Sequence, residues 1–276
     1  NTVNLTTASS TETVTGSGNT IGVNASNITF NGSGDTLNIA NNNTVLDVTG
    51  NSDTIVSTKT GVQVGVVGNN ASVSLASNSG SWTEIDGTGL TLNSVGNSMY
   101  IGTNTSGTIN GAGNAINVGG SGSSIVNSGG NYTIYSNNVT FSLSGTGNTV
   151  TTAKSNSNLT LTGNNNTIKV TGTGDVVTVH GTGETITASN TTIYLDAVGA
   201  ATITGTGNTV VTPSTDQTIS ASNTSASVSQ SNINVFVTGS SDTVTVTGTS
   251  DVVAVSGNNN TIATSNNTVN LTTASS

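Results

Sequence analysis

Twelve carboxylates, one histidine and three lysines carry nearly all the ionisable chemistry of this 276-residue sequence, which has no arginine and no cysteine. Five of the acids, Asp35, Asp53, Asp175, Asp242 and Asp251, close short glycine- and serine-rich runs such as Gly172-Thr-Gly-Asp175. At the same place other runs carry an amide: Asn19, Asn148, Asn166, Asn208 and Asn260. A column of aspartates repels itself unless a cation sits between its members, whereas stacked side-chain amides can hydrogen-bond as a neutral ladder. The expectation is an asparagine ladder without a cofactor. The scattered acids read as solvated surface or turn caps, with isolated calcium sites as the alternative.

Catalytic patterns are sparse. Glu84 and Asp86 fall on one face of an extended segment, and a hydrolase would need such a pair about 5 to 9 Å apart across a bond. His180 ends a Val-Thr-Val-His stretch where neighbouring units carry Thr or Ala, a strand-end position more than a general base. Asp175 and Glu184, like Asp242 and Asp251, are nine residues apart. That spacing puts them at neighbouring corners of a three-sided coil or opposite edges of a two-sided one, and neither arrangement builds a site. No enzyme is expected.

The elements that hold these residues follow from a nine-residue beat, roughly G-x-G-[N/D]-T-[V/I]-x-[V/I]-x. Phe141, Val150, Leu159, Ile168, Val177 and Ile186 recur nine apart, as do Val244, Val253 and Ile262. Alternation within each unit places Val and Ile inward and Thr or Ser outward, and the Gly and Asn of the corner tolerate positive φ. A strand this short cannot bury its apolar side alone, so units must stack on one another. The fold class is therefore all-β, a single-stranded parallel β-helix with about nine residues per face, right-handed as parallel crossovers are. Coils of two sides (about 18 residues) and of three sides (about 27) both fit. Shortened steps of seven, at Ile109→Ile116, Ile134→Phe141, Ile186→Ile193, Val237→Val244 and Ile262→Val269, tend to recur every third unit and favour three. Some ten such coils would stack to about 50 Å. The less regular stretch Lys59 to Asn110 holds Trp82, Met99 and Tyr100, which read as filling for a wider coil or a brace for a loop, with glycan stacking as the alternative.

Composition bounds function. Charged residues are 5%, aromatics 3% and the net charge is −9, so the basic footprint that nucleic acid or anionic lipid requires is missing. No apolar run is long enough to span a bilayer. The β-branched content and a single proline, Pro213, argue for ordered strands over disorder.

The units resemble the nonapeptide repeats of RTX-type β-rolls and of bacterial β-strand-repeat surface proteins, over nearly the whole chain. The resemblance implies an extracellular or cell-surface bacterial repeat region, with Asn standing in most corners where an RTX repeat carries its calcium-binding Asp; the candidate metal ligands it implies are the five acids at that place, Asp35, Asp53, Asp175, Asp242 and Asp251. The Gly-Thr-Gly-Asn runs at Gly145 to Asn148 and Gly205 to Asn208 are also similar to repeats of an ice-binding RTX adhesin.

A longer repeat encloses the short one. NTVNLTTASS occupies Asn1 to Ser10 and recurs unchanged at Asn267 to Ser276. Asn1, Thr2, Val3, Asn4 and Leu5 then correspond to Asn267, Thr268, Val269, Asn270 and Leu271. The chain reads as one module of about 266 residues from an array, with further copies of itself as partner. The expected function is a structural module of an extracellular fibre, sheath or adhesin stalk. A surface module binding glycan, ice or calcium is the alternative.

Overall fold

A computed structural model describes residues 1–195, 201–212, 217–220, 222–229 and 231–272. Pro213 and the last four residues of the second NTVNLTTASS lie outside them. All regular structure among the described residues is β-strand, thirty-two strands that are mostly four or five residues long. The chain is a parallel β-solenoid.

Two compact units divide the chain, Asn1–Thr133 and Ile134–Ser276, and the division falls inside the strand Asn131–Ile134. In the first unit the strands Thr2–Leu5, Thr20–Val23, Thr36–Ile39 and each alternate strand after them form one parallel sheet. The intervening strands, from Thr11–Thr13 through Ile28–Asn31 and Val45–Thr49 onward, form a second. The second unit repeats the plan: Thr140–Ser144, Asn158–Thr162 and Val176–His180 pair in one sheet, and Thr149–Thr152, Thr167–Val170 and Glu184–Thr187 in the other.

This pairing corrects the expected three sides. Phe141 lies beside Leu159 and Leu159 beside Val177, while Val150 lies beside Ile168 and Ile168 beside Ile186. Neighbours in a sheet are two beats apart, so a coil has two strands and two corners. The seven-residue steps shorten a coil without adding a side. Val177 still pairs with Ile193 across a coil of 16, just as Ile21 pairs with Leu37. Other coils run to 17 at Leu92–Ile109, 18 at Leu37–Ile55 and 19 at Val64–Thr83. Strand lengths stay nearly fixed, so the turns absorb the difference.

The core is the space between the two sheets. Strand residues alternate buried and open, and register stacks like on like: Phe30, Val48, Val66, Ile85 and Ile101 form one buried column, and Ile21, Leu37, Ile55 and Val73 another. Each buried aliphatic contributes on the order of 2 kcal/mol of transfer free energy. In the irregular stretch Met99 is fully buried, while Trp82 and Tyr100 are half-buried. Thr83 and Thr152 also enter apolar columns, and neither hydroxyl has a hydrogen-bond partner.

Candidate functional site: the polar corners

Each coil turns through two corners, and at most of them the residue just before the strand is buried in the stack. The run Gly163-Asn164-Asn165-Asn166 shows how the corner is built. Gly163 adopts φ +124°, and a Cβ on it would overlap the carbonyl oxygen of Gly145 one coil earlier, so only glycine fits this backbone contact. Asn165 takes the left-handed conformation at φ 57°, where Asn is tolerated better than most side chains. Asn166 is buried and its Oδ1 accepts the backbone N–H of Asn148 at 2.9 Å. Asn164, on the outside, accepts the backbone N–H of Thr182 through its Oδ1 at 2.9 Å.

The inner and outer bonds run in opposite directions along the stack. At the inner position the backbone N–H of one coil donates to a side chain of the next. Examples are Thr191 to Asn208 at 3.1 Å, Asp242 to Asn260 at 2.9 Å and Asp251 to Asn267 at 2.8 Å. At the outer position the later coil donates: Asn69 to Asn51 at 2.8 Å, Thr88 to Asn69 at 2.9 Å, and Thr173 to the Ser155 hydroxyl at 3.1 Å. Where both bonds occur, a coil-to-coil step is clasped in both directions.

All five expected Asn positions, Asn19, Asn148, Asn166, Asn208 and Asn260, occupy corners. They do not form one column of stacked amides. Asn19, Asn208 and Asn260 precede strands of one alternating set, Asn148 and Asn166 strands of the other, and the rung is a backbone donor on a side-chain oxygen. The amide nitrogen turns to a main-chain carbonyl at two of them, Asn208 Nδ2 to Ala188 at 2.8 Å and Asn260 Nδ2 to Gly239 at 3.1 Å. At two others it turns to a carboxylate of the next coil, Asn19 Nδ2 to Asp35 Oδ1 at 2.9 Å and Asn166 Nδ2 to Glu184 Oε1 at 3.4 Å; Asn19 also accepts an amide-to-amide bond from Asn1 Nδ2 at 3.3 Å. Asn97 and Asn114 fill the same slot, accepting the backbone N–H of Ser79 and of Asn97 at 3.1 Å each, and the Gly-Asn pairs Gly96-Asn97 and Gly113-Asn114 are their signal in the sequence.

The acids use the same slot. Asp35, Asp53, Asp175, Asp242 and Asp251 are buried, so of the two roles expected for them, solvated surface or turn cap, the solvated one does not hold. Oδ1 of each accepts a backbone N–H of the preceding coil: Asp35 from Asn19 at 2.9 Å, Asp53 from Asp35 at 2.9 Å, Asp175 from Ser157 at 2.7 Å, Asp242 from Thr224 at 2.9 Å and Asp251 from Ile233 at 3.0 Å. Oδ2 of all five is buried without a donor. Where Asn has an N–H to give to a carbonyl, the carboxylate has only a second acceptor.

Burial pushes the Asp53, Asp175 and Asp242 carboxyls above their ordinary value, and the neighbouring Asp35 charge adds to the effect at Asp53. Glu184 fills a corner in the same way, accepting the Asn166 backbone N–H at 2.8 Å, and burial pushes it up to about 7. A proton on Oδ2 would supply the donor that Asn has and the carboxylate lacks.

Chemistry beyond this is limited by how the residues are spread. Asp175 stands just before a strand of one sheet and Glu184 opens a strand of the other, and Asp242 and Asp251 precede strands of opposite sheets, so neither pair converges. Asp35 and Asp53 are adjacent rungs. With one oxygen of each occupied by a backbone N–H, they fall well short of the six to eight oxygens of a calcium site. Among the described residues no three of His, Asp or Glu come together. His180 is half-buried at the end of its strand, and Glu84 and Asp86 are exposed along theirs. No helix among the described residues is long and apolar enough to cross a membrane. Comparison with protein families, with curated proteins and with solved structures returns no match for this chain.

Proposed function

We propose that this chain is a structural repeat module, and that copies of its 266-residue unit continue coil upon coil in a long stiff fibre, sheath or stalk outside a bacterial cell. The observation that carries the reading is the decapeptide. Its first copy forms the strand Thr2–Leu5 and its second begins the strand Thr268–Thr272, each in register with a neighbouring coil. A segment that recurs intact, and is taken into the stack both times, suits a unit that repeats along an axis.

The corners support the same reading. Their polar groups are spent on holding one coil to the next, which serves length and stiffness. Three lysines and no arginine offer trypsin few cleavage sites. The resemblance to surface repeat proteins supplies the extracellular setting.

Cryo-electron microscopy of the native material tests this. Continuous rods with coil-on-coil density through the NTVNLTTASS segment are expected. Discrete particles, closed by a different segment at that place, would overturn the reading.

A further inference from the structure

Both halves of a unit-to-unit junction are present in this one chain. On one side, Asn267 to Leu271 sit on the coil before them. Thr268, Val269, Asn270 and Leu271 pair with Val252, Val253, Ala254 and Val255, the Asp251 N–H donates to Asn267 Oδ1 at 2.8 Å, and the Thr268 N–H donates to the Asp251 carbonyl at 2.8 Å. On the other side, the same five residue types at Asn1 to Leu5 carry the coil after them. Thr2, Val3, Asn4 and Leu5 pair with Thr20, Ile21, Gly22 and Val23, and the Thr20 N–H donates to the Asn1 carbonyl at 2.7 Å. Leu5, with later coils against it, is 6% exposed, and Leu271 is 69% exposed. Superposing the two copies of the segment joins Val252–Val255 to Thr20–Val23 through one shared strand.

The shared strand does not keep its place in the alternation. Consecutive strands change sheet at every step in each unit. Thr2–Leu5 is the first strand and Thr268–Thr272 the thirty-second, so one repeat advances the chain by an odd number of strands. The shared strand, which starts the odd-numbered set in one copy, therefore extends the even-numbered set of the copy before it.

The two sets differ chemically. Every charged residue within a described strand other than His180, namely Glu12, Asp47, Glu84, Asp86, Lys169 and Glu184, lies on an even-numbered strand. The odd-numbered strands carry no acid and no lysine.

Resting on the array reading above, we propose that successive copies join with their faces exchanged, the odd-numbered strands of one copy continuing the even-numbered sheet of the last. At each junction the even-numbered sheet that ends one copy then runs on into the odd-numbered strands that open the next, which carry no acid and no lysine, while the sheet opposite runs on into the strands bearing Asp47, Glu84 and Asp86.

A tandem protein of residues 1–266 followed by 1–276 tests this with nitroxide labels on engineered cysteines. One pair is Ala254→Cys in the first copy with Asn38→Cys in the second, and the other is Ala263→Cys with the same Asn38→Cys. With exchange, Ala254 and Asn38 share a face three strand spacings apart, about 14 Å, and couple strongly. Ala263 and Asn38 then lie across the core and couple weakly. The reverse pattern overturns the exchange while leaving the array intact. If instead proteolysis cuts the tandem at the seam into two separately stable copies, the array reading itself fails, and the exchange with it.

Discussion

At the residue scale, the telling comparison is Asp against Asn in the same buried slot. Asn satisfies both of its ends there, and Asp leaves Oδ2 bare at five positions. Asp175→Asn and Asp242→Asn are therefore expected to stabilise the protein at pH 8 by about 1–3 kcal/mol each, since an unpaired buried acceptor becomes a paired donor. Glu184 differs, because its second oxygen, Oε1, accepts the Asn166 Nδ2 at 3.4 Å, and Glu184→Gln removes its titration without supplying a missing donor. For Glu184 the folded value, about 7, lies above the ordinary 4.5. Its contribution is thus complete below 4.5 and is lost as pH rises through 7. Thermal unfolding of the unaltered protein should move to lower temperature between pH 4.5 and 8, and the Glu184→Gln and Asp175→Asn variants should flatten that slope. A midpoint that rises over the same interval would refute the account. Thr83, whose hydroxyl is buried without a partner between Val64 and Met99, gives an independent check. Thr83→Val keeps the shape, removes the orphan and should raise stability by about 1 kcal/mol in urea unfolding.

At the element scale, the strand and the corner differ in how far the sequence reveals them. The beat from Phe141 to Ile186 was enough to place each inward aliphatic, because alternation and burial fix a strand's face locally. The number of sides was not local. A nine-residue unit is one strand and one corner whether the coil closes after two units or three, and only pairing, Phe141 on Leu159, distinguishes them. The corner was half legible. Gly and Asn signalled positive φ, but that task falls to Asn165, while the buried rung is Asn166 and the outer one Asn164; three identical neighbours gave no sign of three different roles. Burial of the acids was hidden for a similar reason, since an Asp beside Gly and Ser reads as surface until the next coil covers it.

The two glycines of the beat are equally distinct. Gly163→Ala, against the Gly145 carbonyl and at φ +124°, should cost on the order of 3 kcal/mol or more. Gly147, at φ +64° with open space where a Cβ would stand, is the position Asn165 fills one coil later, so Gly147→Asn should change the unfolding midpoint little.

At the scale of the whole molecule, each unit is held by one contact repeated, a two-stranded coil on its neighbour with clasps of opposite direction at the corners. Nothing in that contact calls for a cation. Adding EDTA, or millimolar calcium, should leave the circular dichroism spectrum and melting temperature unchanged, and a collapse on chelation would show that the corner aspartates bind metal after all. The sequence conveyed the repetition at this scale, through NTVNLTTASS, because identity over ten residues needs no structural interpretation. It did not convey the parity of the strand count, which depends on the coil having two sides.

Coils of 16, 17, 18 and 19 residues close onto the same registers, with the surplus held in the turns. A gene encoding such a chain can therefore gain or lose a codon or two at an outer turn, or a whole coil by slippage between near-identical repeats, and still yield a protein that stacks. Length polymorphism among alleles should be concentrated in the turns and in whole-coil increments, with the strands almost untouched.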